Sequence, residues 1–263
     1  MKITLVQSDI AWGDPVGNRR HLESLLEGVG QTDLILLPEM FSTGFVTKPE
    51  GLAETDCASL QWMRRMARER GCAVAGSIAT QEGDRFYNRF HFVPPEGASF
   101  HYDKHHLFTY AGEDKHFTPG RERVVVPWKD MRILLQVCYD LRFPVFSRNR
   151  LVPDETGGLR PDYDLILYVA SWPDSRFAAW ETLLCARAIE NQCFVAGVNR
   201  VGRDPGNSYC GGSALINPQG DCLAACTMGR EEVVTAEAGA AGLADFRRRF
   251  PFLADADFPF PGH

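Results

Sequence analysis

No apolar run in the 263-residue chain approaches the roughly 18 residues a membrane-spanning helix needs, so no membrane span is expected. Eight cysteines (57, 72, 138, 185, 193, 210, 222 and 226) form no CxxC pair, and there is no HExxH. That removes the usual zinc and dithiol signatures. A glycine-rich phosphate loop with its lysine is also missing, and we expect no metal and no cofactor. Basic charge is not in excess: 28 Lys and Arg stand against 34 Asp and Glu, a net charge of −6, which argues against a general nucleic-acid binder. The opening "MKITLVQSDIAWGD" has too short an apolar run, broken at Gln7, Ser8 and Asp9, for a secretory signal. It reads as the first strand of a cytoplasmic protein, in which the cysteines stay reduced. Those in "GCAVAG" and "NQCFVAG" read as small core residues.

What is present is an ordinary globular composition, 44% apolar and 24% charged, with an internal echo. "TDLILLPE" (32–39) is matched by "YDLILYVAS" (163–171), each a short run that reads as a buried strand. A helical pattern follows each: "SLQWMRRMARERG", with Leu60, Met63, Met66 and Ala67 on one face, and "AAWETLLCARAIENQ". Then come "CAVAGSIA" (72–79) and "CFVAGVNR" (193–200), and after them "YNRFHFVPPEG" and "GGSALINPQG", strands running into Pro-x-Gly turns. Two β-α-β-β units in one chain predict an α/β fold, a four-layer α-β-β-α sandwich with a pseudo-twofold repeat. We expect one domain over 1–250, a surface excursion at 148–164, and an irregular proline-rich tail over 251–263.

Three strands that read as buried end on chemistry: "LILLPE" on Glu39, "ASFHYDK" on Lys104 and "ILLQV" on Cys138. Ligands gather beyond the carboxyl ends of such strands. A lysine beside a thiol favours the thiolate, a glutamate can take its proton, and the lysine can also hold an oxyanion. The N–H of Tyr139, next after the cysteine, is a natural second donor. Together these describe acyl transfer through sulfur. Taken singly each residue has a plainer reading, Glu39 and Lys104 as solvated charge and Cys138 as core. "HYDKHH" clusters His101, His105 and His106, but neighbours on an extended segment point to opposite faces, so no metal set is read there.

"LLPEMFSTGF", "YDKHHLF…AGEDKHFTPG", "VCYDLRFP", "ASWP" and "ARAIENQCFVAGVNRVG" together resemble the nitrilase superfamily of carbon–nitrogen hydrolases, from the first strand to about Phe250. The resemblance implies Glu39 as general base, Lys104 as oxyanion-stabilising lysine, Cys138 as nucleophile, and Glu113 as a second glutamate tuning the lysine and the substrate amide. "CYDLRFPVFSRN", with "STGF", "KHHLF", "YVASWP" and "INPQG", is most similar to the bacterial omega-amidase (2-oxoglutaramate amidase) branch. That implies hydrolysis of the terminal amide of 2-oxoglutaramate or 2-oxosuccinamate. The extra residues around Pro153–Pro161 depart from that branch. The resemblance also implies a homodimer with a helix such as 178–190 at its interface. Another small amide or a carbamoyl compound is the alternative substrate, and a redox-sensing thiol protein the alternative class; the latter has no need of both Glu39 and Glu113.

A 2-oxo acid amide needs a cation for its carboxylate, and Arg142, Arg176 and Arg200 are candidates. For Arg142 the spacing favours a structural pair with Asp140 or a nearby acid. Phe45, Tyr110, Tyr139 and Trp172 are expected to wall a small pocket, although aromatic residues in such loops serve equally as packing.

Overall fold

The computed structural model describes residues 1–256. One six-stranded sheet runs in the order β16-β1-β2-β3-β4-β5. Its strands are β1 (Lys2–Gln7), β2 (Leu34–Leu36), β3 (Ala73–Glu82), β4 (Arg85–Val93), β5 (Phe100–Asp103) and β16 (Glu232–Glu237). The other runs β15-β14-β11-β10-β7-β6, with β6 (Val125–Trp128), β7 (Met131–Val137), β10 (Leu165–Ala170), β11 (Phe194–Asn199), β14 (Ala214–Ile216) and β15 (Cys222–Ala225). In each sheet three parallel strands are followed by two antiparallel ones, and an antiparallel strand closes the other edge. The echo is therefore real in three dimensions: β2 corresponds to β10, β3 to β11, and β4 to β14.

Side chains alternate across a strand, and here both faces are covered. On β7, Met131, Ile133, Leu135 and Val137 enter the core between the sheets, while Leu134 turns outward. On β10, Leu165, Leu167 and Val169 face inward, and Ile166, Tyr168 and Ala170 face outward. That is why these strands read as unbroken apolar runs. Helices α1 (Pro15–Leu26) and α2 (Ala58–Arg70) cover the first sheet, and α4 (Phe177–Asn191) covers the second. α3 (Pro144–Ser147) is a single turn, and α5 (Ala240–Arg249) follows β16. The four layers are α-β-β-α.

Some details differ from expectation. β5 is an edge strand with only Tyr102 fully buried, because nothing pairs beyond it in the sheet. The 148–164 excursion is a small hairpin of β8 (Leu151–Pro153) and β9 (Leu159–Pro161). The segment "PGNSYCGGS" contains a short strand: β13 (Ser208–Cys210) pairs with β12 (Val201–Arg203). Most of the expected tail lies outside the described residues. Its described part makes one 3₁₀ turn, Phe252–Asp255, with Leu253 buried. Among the described residues no helix is long and apolar enough to cross a membrane.

His91 on β4 points away from the inter-sheet core, toward α2. Burial pushes its pKa down to about 3, with the charges of Arg89, His101 and Arg64 adding to the effect. It stays neutral in the folded chain while the unfolded chain takes up a proton below about 6.5. Stability is therefore lost as pH falls through that window, by about 2 kcal/mol between pH 7 and pH 5 from this residue. Chemical denaturation at the two pH values should show a smaller drop for His91→Gln; identical drops would refute the assignment.

Candidate active site

Glu39, Lys104 and Glu113 are wholly buried and in contact. Lys104 Nζ donates to Glu39 Oε1 at 2.9 Å and to Glu113 Oε2 and Oε1 at 2.9 and 3.2 Å. Each side chain arrives by local backbone pairing. The segment after β2 continues alongside β3, with Leu37 N–H on Ala75 O at 2.8 Å and Met40 N–H on Ser77 Oγ at 2.9 Å, so Glu39 is held over the strand end. Gly76 permits the approach, since a Cβ there would lie 2.9 Å from Leu37 Cβ. Lys104 follows β5 directly, its N–H on Asn88 O at 3.0 Å. Glu113 sits in a 3₁₀ turn after Gly112 (φ +76°), and its Oε2 accepts the Phe108 N–H at 2.6 Å.

Asn88 completes the cluster and was not singled out from the sequence. Its amide donates to Glu39 Oε1 at 2.8 Å and to Glu113 Oε1 at 3.1 Å. A signal existed: on β4 it shares the inward row with Phe90 and Phe92, where an amide is out of place. The second sheet contributes the Ser171 N–H, which donates to Glu39 Oε2 at 2.9 Å. Ser171 follows β10 as Glu39 follows β2, so equivalent points of the two halves touch.

Cys138 directly follows β7 with a left-handed backbone (φ +44°), unusual for a residue with a side chain, and opens a 3₁₀ turn over Cys138–Arg142. Asp140, fully buried, fastens this turn. It accepts the Val137 N–H at 2.9 Å, the Tyr102 hydroxyl at 2.8 Å, and the His106 N–H and Nδ1 at 3.0 and 2.8 Å. The expected Arg142–Asp140 pair is therefore absent, because these donors occupy the carboxylate. Arg142 instead lies over the Trp172 ring, 4.8 Å from its centroid. The histidine expectation is also corrected. The chain bends after Lys104, and the His105 and His106 rings meet edge to face at 4.5 Å. Among the described residues no group of His, Cys, Asp and Glu is arranged to hold a metal.

Burial raises the Cys138 thiol well above its usual range, and the Glu39 charge adds to this; the Lys104 charge pulls the other way and is outweighed. The lysine therefore does not leave a standing thiolate. Lys104 itself is raised: burial alone would lower it, but the charges of Glu113 and Glu39 prevail. Glu113 is raised by burial and by the Glu39 charge, against the Lys104 ammonium.

Cys138 lies in a cavity of about 550 Å³. Phe45, Tyr110, Tyr139 and Trp172, expected to wall a pocket, line it together with Arg142 and Arg176, two of the three arginines considered for the substrate carboxylate. Arg200 does not. It is buried behind the wall, paired with Asp9 at 2.9 Å and stacked over Tyr209. The sequence reading also missed Trp12 and the 204–209 turn on the rim. All eight cysteines are free, Cys57 and Cys222 being exposed.

The carbon–nitrogen hydrolase family model matches residues 2–248. An omega-amidase of Escherichia coli strain K12 is 45% identical over 98% of this chain and 97% of its own. A 2-oxoglutaramate amidase of Bacillus subtilis is 34% identical over 96% of each. A carbon–nitrogen hydrolase superfamily protein of Xanthomonas campestris, solved with an arsenic adduct in its active site, superposes with a TM-score of 0.93. It is 46% identical and the match covers 98% of this chain and 97% of the other.

Proposed function

The chain belongs to the carbon–nitrogen hydrolase family, and on that footing we propose that it is an omega-amidase, hydrolysing the terminal amide of small 2-oxo acid amides such as 2-oxoglutaramate and 2-oxosuccinamate. The observation that carries the reading is one buried cluster, Glu39, Lys104 and Glu113, set against Cys138 in a lined cavity.

Glu39 takes the thiol proton as sulfur attacks the amide carbon. This suits a thiol whose proton is held until the substrate arrives. The Lys104 ammonium and the Tyr139 N–H stabilise the oxyanion of the tetrahedral intermediate. The C–N bond then breaks, and ammonia leaves with the proton Glu39 took. Water attacks the thioester, Glu39 removes its proton, and the acid departs as the sulfur regains a proton. Glu113 and Asn88 keep the lysine and Glu39 in register. Phe45, Tyr110, Tyr139, Arg142 and Trp172 bound the substrate space, in a site that works without metal or cofactor. An arsenic adduct in the relative's active site is what a reactive thiol there would form, since arsenic bonds thiols readily.

The test is ammonia release from 2-oxoglutaramate, glutamine and a carbamoyl amino acid. Rapid release from the oxo amide alone is expected; carbon dioxide together with ammonia from the carbamoyl compound would move the protein to another branch. A cytoplasmic homodimer belongs to the same reading. Exposed Ile189 on α4 and Leu223 on the edge strand β15 offer apolar surface on that side. Monomer mass in sedimentation would count against the dimer.

A further inference from the structure

Two guanidinium groups share the cavity with Cys138 and neither has an acid. Arg142 and Arg176 are half-buried, and among the described residues neither makes an ion pair, in a chain of net charge −6. Several half-buried or buried arginines elsewhere are matched, Arg89 with Asp103, Arg132 with Asp162, Arg187 with Glu190 and Arg247 with Asp164. Arg64, Arg70, Arg148 and Arg160 are half-buried without an ion pair among the described residues, but none of them lines this cavity. One carboxylate does line the same cavity, that of Asp204, but it is turned inward on its own turn. It accepts the Gly206 and Asn207 N–H groups, both at 2.7 Å, and the Tyr209 hydroxyl.

Aromatic faces replace the missing acids. Arg142 lies 4.8 Å from the centroid of the Trp172 ring. Arg176 lies 5.3 Å from the Phe108 centroid and 5.8 Å from that of Tyr110. Trp172 joins the two, because its Nε1 donates to the Arg176 carbonyl at 2.8 Å. Stacking holds a guanidinium by its face and leaves the N–H edge available to a planar anion.

We propose that Arg142 and Arg176 form one subsite for the 2-oxo acid head of the substrate, and that their paired charge excludes amides of 2-amino acids. The inference rests on the omega-amidase reading and adds to it where the acid end sits and why glutamine is refused. A carboxylate beside a ketone gives two or three acceptor oxygens on one plane, and arginine edges meet such oxygens in pairs. Glutamine brings the same carboxylate, but its ammonium at position 2 would stand against two cations where the ketone oxygen accepts. Like charges brought together in a partly desolvated cavity repel strongly.

The test compares kcat/KM for 2-oxoglutaramate, glutamine and pentanamide, a neutral amide of the same chain length, in the native protein, Arg142→Gln and Arg176→Gln. Thermal unfolding and alkylation of Cys138 by iodoacetamide verify that each variant is folded with a reactive thiol. The preference for 2-oxoglutaramate over pentanamide is expected to fall at least about 30-fold in each variant, mainly through KM. The preference for 2-oxoglutaramate over glutamine should narrow as well. Native turnover of 2-oxoglutaramate with both preferences intact in both variants would overturn the subsite alone. Native turnover of pentanamide without 2-oxoglutaramate would overturn the omega-amidase reading, and the subsite with it.

Discussion

Cys138→Ala is expected to take ammonia release from 2-oxoglutaramate below detection, a loss of at least about 10⁴-fold, with little change in thermal stability. The side chain is half-buried on the cavity floor, so truncation enlarges an existing space and opens no new one in the core. The left-handed turn survives, because Asp140 fastens it through Val137, Tyr102 and His106 rather than through sulfur. The remaining groups can orient an amide, but water at neutral pH is a far weaker nucleophile than sulfur. The native thiol should have a distinctive signature too. Burial and the Glu39 charge hold its proton, so alkylation of the resting enzyme should keep rising well above pH 8. A plateau at neutral pH would mean a standing thiolate, and proton transfer to Glu39 would no longer be needed. Native-like turnover in the variant would end the thiol mechanism.

The second large effect is expected for Lys104→Met, which should damage folding as well as catalysis. The ammonium is the one cation between two fully buried carboxylates, those of Glu39 and Glu113. Removing one partner of a buried ionic group costs about 3–5 kcal/mol because the other is left uncompensated. Without the lysine, burial and the neighbouring Glu39 charge would act unopposed on Glu113, which would bind a proton more readily in the folded chain than in the unfolded one. The deficit should therefore be largest near neutral pH and shrink as pH falls toward 5. Lys104→Met/Glu113→Gln should regain part of the stability and none of the activity, which is expected to fall on the order of 10³-fold or more with an oxyanion donor gone. Denaturation curves for the native protein and both variants decide this. Native stability in Lys104→Met would mean that the carboxylates do not share a charge.

The layers of the fold were legible because parallel strands covered on both faces leave unbroken apolar runs, and the two halves repeat them in order. Glu39, Lys104 and Cys138 stood out as polar groups placed where such runs stop. Asn88 was harder to see, since its strand is half polar and only the parity shared with Phe90 and Phe92 marks it. The Ser171 contribution is a backbone N–H and carries no sequence signal at all. Arg142 was misjudged because closeness in sequence favoured Asp140. That acid had already been taken by donors from β5 and the bend after it, about 35 residues away in the chain. The direction of the thiol shift was equally out of reach, being set by depth and by which neighbouring charge prevails.

The reactive cluster also straddles the seam between the sheets. Glu39, Lys104 and Glu113 come from the first half of the repeat, and Cys138 and Ser171 from the second, with 132 residues separating Glu39 from the Ser171 N–H it accepts. Neither half alone contains both the thiol and the carboxylate that the proposed mechanism pairs. During folding most strands of each sheet pair with comparatively near neighbours, β16 against β1 being the exception, but the centre exists only once the two sheets have met across their shared core. Contacts of such long range are slow to form. A nascent chain therefore has no working thiol centre until nearly all of it has been made and docked.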